Sequence, residues 1–290
     1  MSAWLAPAKV NLALEVRARR PDGFHDIRTV FQAIDLGDRL TISRSRPGTF
    51  QLRCDWPGIP AGEENLVTRA WRLLERRRSL PAGVEVGLEK QVPPGAGLGG
   101  GSSDAAALLV AASAELGLEL APPELEELAA ELGSDVAFFI RGGTQLGEGR
   151  GERLTPWPPL TRGAFVIVWP GFVLPTPAVY GAGGFGLTPT PDPFTLLRLG
   201  IAREDPEGVA KGFFNALEAP AFSLQPALAG VKGQLLGLGA LGGLLCGSGS
   251  SVFAYFRDEG EARRAGASVP PGVRRVHLAL PLGSGVRRIA

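Results

Sequence analysis

The segment Pro93-Pro94-Gly95-Ala96-Gly97-Leu98-Gly99-Gly100-Gly101-Ser102-Ser103 carries the residue types that hold a phosphate group. Its glycines let backbone N–H groups converge without Cβ obstruction, and its serines add neutral donors or magnesium ligands. The pattern predicts a helix starting at Asp104, capped by Ser102 or Ser103, whose positive dipole end and unpaired N–H groups point at the loop. Two better-known glycine motifs fail on context. Gly95-x-Gly97-x-x-Gly100 satisfies the dinucleotide fingerprint, and Glu115 stands about where the ribose-binding acid belongs. Glu115, however, lies inside the helix that begins at the loop, whereas the fingerprint needs its acid at the end of a second strand. A Walker A loop ends in Gly-Lys-Ser/Thr, and no lysine follows Gly101. A glycine-rich connection with no ligand is the alternative that the loop alone leaves open.

Other polar residues stand where chemistry is conceivable. Lys9 interrupts an uncharged strand segment, and Asn11 shares its face two residues on; a surface lysine at a strand edge is the plain alternative. Asp135 follows the helix-ending Gly133, so its carboxylate can face a cleft as a proton acceptor, or it or Ser134 can cap the next helix.

These residues need a frame. Val10, Leu12 and Leu14 alternate with smaller or polar residues as in a half-buried strand, Pro21-Asp22-Gly23 marks a turn, and Leu40–Ser43 reads as a strand. Asn65 caps a helix running to about Arg78, and Val84, Val86 and Leu88 form a strand that delivers the chain to the glycine loop. The helix after the loop stops at Gly117, and Pro122 opens another that ends at Gly133. Thr155-Pro156-Trp157-Pro158-Pro159 is the candidate junction between a lobe of residues 1–155 and one of residues 156–290. Beyond it, strands are expected at 164–169, 241–246, 252–256 and 276–280, and helices at 207–217 and 257–267. Mixed rather than alternating elements make the fold class α+β in two lobes.

Composition narrows the function classes. A net charge of +1 over 290 residues offers no global attraction to nucleic acid or an anionic membrane. Cys54 and Cys246 lack the spacing of a disulfide framework or zinc site, and His25 and His277 are too few for a histidine-rich metal centre. The apolar stretch 235–246 is shorter than the roughly 20 residues a bilayer span needs, and the first residues do not read as a signal peptide. A cytoplasmic protein is expected, a monomer or weak homodimer.

Pro7-Ala8-Lys9-Val10-Asn11-Leu12, the glycine loop and Cys246-Gly247-Ser248-Gly249-Ser250-Ser251 follow one another as the three signature motifs of the GHMP kinases do, and the chain resembles that superfamily from residue 7 to 254. The resemblance implies an N-terminal lobe like ribosomal S5 domain 2, a ferredoxin-like C-terminal lobe, ATP as co-substrate with Mg2+, and phosphoryl transfer to an alcohol. Arg20–His25, Asn65–Val67, Gly133–Phe139 and Gly149-Arg150-Gly151-Glu152 are similar to the branch acting on a cytidine diphosphate-linked sugar alcohol, at the 2-hydroxyl of its methylerythritol, in non-mevalonate isoprenoid biosynthesis. Homoserine- and mevalonate-type kinases are the alternative, and a non-catalytic nucleotide-binding module a further one. By this resemblance Asp135 is the catalytic base, and Lys9 is the cation that lowers the cost of forming an alkoxide on the acceptor. Asn11 binds substrate or holds the lysine; Phe24 and Tyr180 enclose the cytosine and His25 reads it. Asn65 and Leu66 lie near adenine, and the Cys246–Ser251 turn braces the glycine loop. No carboxylate is assigned to the metal. Phe24 replaces the branch's usual tyrosine, keeping a ring face without the hydroxyl, and Ala137 replaces its usual proline.

Overall fold

Residues Ser2–Arg19 form one long strand, β1, around which the protein is built. The computed structural model describes residues 1–269 and 272–290. After β1 come β2 (His25–Ser45), β3 (Phe50–Cys54), α1 (Leu66–Arg77), β4 (Gly83–Glu89), α2 (Gly100–Leu116), α3 (Pro122–Leu132), α4 (Phe138–Arg141), β5 (Thr144–Gly149) and β6 (Arg153–Pro156). The chain continues through β7 (Ala164–Trp169), α5 (Thr176–Ala182), α6 (Pro193–Ala202), α7 (Pro206–Ala210), β8 (Phe214–Asn215), α8 (Glu218–Leu224) and α9 (Ala227–Gly237). It closes with β9 (Gly242–Leu245), β10 (Val252–Phe256), α10 (Glu259–Ala267), β11 (Arg275–Ala279) and β12 (Arg287–Arg288).

The first sheet runs β12-β1-β2-β4-β3. β4 takes the later half of β2 and β5 the earlier half, while β8 joins β1 in parallel. The second sheet runs β11-β7-β10-β9, all antiparallel. In chain order that is fourth-first-third-second with helices between, the ferredoxin-like arrangement, and the whole is α+β in two lobes.

Apolar residues explain how the layers meet. Trp71, Leu108, Leu109, Phe138 and Phe139 cover one face of the first sheet from α1, α2 and α4. Val10, Leu12, Val30 and Ile34 on its other face pack against Phe165, Ile167 and Phe253 of the second sheet. β1 is therefore buried on both faces rather than half-buried, because the second sheet covers the side that alternation alone leaves to solvent.

Two further elements depart from the sequence reading. α2 starts at Gly100, with the left-handed Gly99 at its N-cap and no side-chain cap, so Ser102 and Ser103 lie in its first turn. The glycines carry the helix further back than the serines mark. The helix expected at 207–217 ends at Ala210, and the chain turns so that Phe214 and Asn215 pair with Ala13 and Leu14. Gly212 is the reason: a Cβ there would stand 2.6 Å from the backbone nitrogen of Leu197, so the chain runs tight against α6 rather than coiling on. Among the described residues no helix is long and apolar enough to cross a membrane.

Candidate active site

Odd and even residues of the glycine loop do different work. Ala96 and Leu98 point into the core, while Gly95, Gly97 and Gly99 adopt positive φ (63°, 78° and 74°) with no Cβ to strain. The backbone is tied on two sides: Leu98 O accepts from Lys9 N at 3.0 Å, and Ala96 O accepts from Ser251 N at 3.1 Å. A Cβ on Gly97 would stand 1.9 Å from the Cys246 carbonyl oxygen, so only glycine permits the 246–251 turn to lie against the loop. Asn215 holds that turn in place, donating to Leu245 O at 2.9 Å and Gly247 O at 2.8 Å. Pro93 is buried and Pro94 half-buried at the loop's entry, while Gly101 is exposed at its exit. Ser102 is half-buried, and the buried Ser103 hydroxyl has no hydrogen-bond partner among the described residues.

β1 and the turn after α3 converge on one point beside this loop. Register shifts at Pro7/Ala8 and Asn11/Ala13 flank the stretch that carries Lys9 and Asn11, and such bulges re-aim side chains. Lys9 is 4% exposed, donates to Asn11 Oδ1 at 2.8 Å and lies 3.7 Å from Asp135 Oδ2. Asn11 in turn donates to Thr29 Oγ1 at 2.8 Å, which fixes its amide and so presents the oxygen to the lysine. α4 has Ala137 at its N-cap and no side-chain cap bond, so neither Ser134 nor Asp135 is spent on capping. The Asp135 carboxylate, about a third exposed, faces the cavity instead.

That cavity, about 790 Å³, runs from the glycine loop to the turn between β1 and β2. Gly97, Gly99 and Gly247 line one end; Phe24, His25 and Tyr180 line the other. Lys9, Asn11 and Asp135 lie on its wall. Tyr180 stacks on His25 with ring centres 5.1 Å apart, and Phe185 meets His25 edge-on at 5.3 Å. Phe24 instead turns a 53% exposed ring outward. Burial, then the charge of Asp135, pushes the Tyr180 phenol up, so it stays a neutral hydroxyl. Among the described residues Lys9, Arg19 and Arg150 line the cavity against one carboxylate, Asp135, which makes it a positive site.

Asn65 and Leu66 sit outside this cavity. Asn65 caps α1, accepting from Val67 N at 2.9 Å and donating to Pro60 O at 2.7 Å. Leu66 comes within 3.9 Å of where a Cβ on Gly101 would be, so it borders the loop's exit.

Sequence reasoning passed over a buried triad behind the loop. Lys90 bonds Asp38 and, at 2.6 Å, Asp104, while Asp38 also accepts from Gln91 N at 2.6 Å and Val92 N at 2.8 Å. It thereby ties the strand entering the loop to the helix leaving it. Burial pushes the Asp104 carboxyl up to about 8 against the pull of Lys90, with Asp38 adding to the rise. The Lys90 ammonium loses to burial but gains more from the two acids and is held up. The available signal was one lysine just before the loop and one aspartate just after it.

Residues 65–143 match the family model for the GHMP kinases N terminal domain, and residues 197–271 match that for the GHMP kinases C terminal. The chain belongs to the GHMP kinases and is an ATP-dependent small-molecule kinase. It is 42% identical over 266 residues to the 4-diphosphocytidyl-2-C-methyl-D-erythritol kinase of Pelotomaculum thermopropionicum, covering 91% of this chain and 92% of that one. Its identity to the enzyme of the same name from Thermus thermophilus is 43%, with 90% of each chain covered. A crystal structure of 4-(cytidine 5'-diphospho)-2C-methyl-D-erythritol kinase superposes with a TM-score of 0.81 at 39% identity, covering 98% of this chain and all of that one. A homoserine kinase from Cytophaga hutchinsonii, 22% identical with a TM-score of 0.76 over 99% and 97% of the two chains, shares the fold.

Proposed function

We propose that this kinase transfers the γ-phosphoryl group of ATP to the 2-hydroxyl of 4-diphosphocytidyl-2-C-methyl-D-erythritol, a step of non-mevalonate isoprenoid precursor biosynthesis. One observation carries the reading: a single positively lined cavity joins the glycine loop to the Phe24, His25 and Tyr180 rings, with the Lys9–Asp135 pair on its wall. Its volume is in the range of small-molecule sites. Its charge suits an acceptor bearing a diphosphate.

In this reading the N–H groups of the glycine loop and of the first turn of α2 hold the ATP phosphates. Asp135 accepts the proton of the acceptor hydroxyl, and the Lys9 ammonium offsets the negative charge that develops on that oxygen. Asn11 holds Lys9 on the acceptor side. Transfer is direct, because phosphoryl transfer asks the protein chiefly for alignment and charge stabilisation. His25 reads the polar edge of cytosine, and the exposed Phe24 ring and Tyr180 supply the stacking surfaces. Leu66 and Asn65 border the adenine. The half-buried Ser102 in the first turn of α2, with the buried Ser103 hydroxyl behind it, would supply the side-chain oxygen to a magnesium ion held mainly by phosphates and water. When bound, that ion neutralises phosphate charge.

The test is a phosphoryl-transfer assay with Mg-ATP on the cytidine acceptor, run beside homoserine and mevalonate. The expected result is a kcat/KM for the cytidine acceptor at least about a hundredfold above the others. Equal or faster turnover of homoserine or mevalonate would move the chain to another acceptor class.

A further inference from the structure

Arg150 has entered so far only as one of three cations lining the cavity, with no contact of its own assigned. Its guanidinium lies 5.1 Å from the centre of the Phe24 ring, and among the described residues it has no carboxylate within salt-bridge distance. The fold brings the two together by register. β5 pairs with the start of β2 so that Gly149 stands opposite Ile27, which sets the 149–152 turn against the turn carrying Phe24 and His25. Both turns are fixed. Gly149 takes a φ of 72°, Arg150 N donates to Glu152 Oε2 at 2.6 Å, and Gly151 N donates to Glu148 O at 3.1 Å. On the other side, Arg20 N donates to Phe24 O at 2.8 Å and Phe24 N to Asp22 Oδ1 at 3.2 Å. Phe24 itself is more than half exposed, and no other aromatic side chain stacks on it among the described residues. An exposed ring with no aromatic partner to hold it forfeits rotamer entropy when a base lands on it.

We infer that Arg150 is a positioning and specificity residue for the acceptor: its guanidinium packs on the Phe24 ring and holds it ready for the cytosine. The inference rests on the acceptor assigned above. A planar cation over one ring face fixes the orientation of the other face and deepens the attraction for a polar base. The phenylalanine here has no hydroxyl with which to anchor itself by a hydrogen bond. Arg150 does that anchoring from outside.

The experiment is a double-mutant cycle on steady-state kinetics and on CDP binding by calorimetry, using the full chain as wild type, Arg150→Met, Phe24→Leu and the double variant. Arg150→Met should raise the acceptor KM and the CDP Kd about three- to fivefold, the scale of an exposed cation–π contact, with kcat and the ATP KM within twofold. In the Phe24→Leu background the same change should add nothing, since the ring it acts through is gone. Wild-type acceptor affinity in Arg150→Met overturns the inference, as does a full additive loss in the Phe24→Leu background, which would put Arg150 on the phosphates instead. A wild type that neither binds CDP nor turns over the cytidine acceptor removes the acceptor assignment, and this inference with it.

Discussion

The two ends of the cavity are built on opposite principles. The phosphate end is held by backbone and buried charge: Leu98 and Ala96 carbonyls accept from Lys9 and Ser251, Gly97 admits the Cys246 carbonyl, and Lys90 with two aspartates anchors both limbs of the loop. The acceptor end is held by side chains drawn from separate elements, with Tyr180 of α5 on His25 at the start of β2 and Arg150 over an exposed Phe24. On the function proposed above, the backbone cradle would recognise a phosphate common to the family's reactions, and the aromatic cluster one acceptor, free to change without disturbing the loop. Damage at one end should therefore show as lost stability or ATP affinity, and damage at the other as lost acceptor affinity alone.

That contrast can be broken in four graded ways. Lys90→Met leaves two buried acids, Asp38 and Asp104, without the ammonium that both bond and should cost about 3–5 kcal/mol of stability, read as a fall in Tm and a raised ATP KM. Retention of wild-type Tm would show that the triad does not anchor the loop. Phe24→Ala removes a stacking surface worth about 1–3 kcal/mol per base, so the acceptor KM should rise by roughly five- to a hundredfold with the ATP KM unchanged. Equal effects on both substrates would erase the division between the ends. Gly97→Ala drives a methyl into the Cys246 carbonyl and should raise the ATP KM by roughly tenfold while sparing acceptor binding, at an overpacking cost of about 1–3 kcal/mol. Asn65→Ala is the mildest: it loses a helix cap worth about 1 kcal/mol and should lower Tm slightly, with little change in the ATP KM, because the amide is already spent on Val67 and Pro60. A large rise in ATP KM there would assign the amide to adenine.

Much of this was legible in the sequence, for physical reasons. Glycine, cap and turn signals are local, so the loop, the Asn65 cap, the stops at Gly117 and Gly133, and the strand at 164–169 are read directly from the residues. Lys9 and Asp135 stand far apart in the chain, and only the ordered motifs suggested that they share a site; their 3.7 Å approach depends on how β1 packs beside the turn after α3. Long-range contacts were the part not legible. The second sheet's cover over β1, the return of Phe214–Asn215 to that strand, and the Lys90 triad all depend on partners distant in sequence. So does the pairing of Arg150 with Phe24, which follows from the register between β2 and β5 and from nothing local to either turn.

The claim that joins the two ends is that Asp135 takes the acceptor's proton where they meet. Its direct test is Asp135→Asn, with ATP and CDP affinities measured by calorimetry alongside turnover. The account predicts that both ligands bind within a few-fold of wild type while kcat falls by about a hundredfold or more, the loss expected for a removed general base. A kcat within a few-fold of wild type would contradict it.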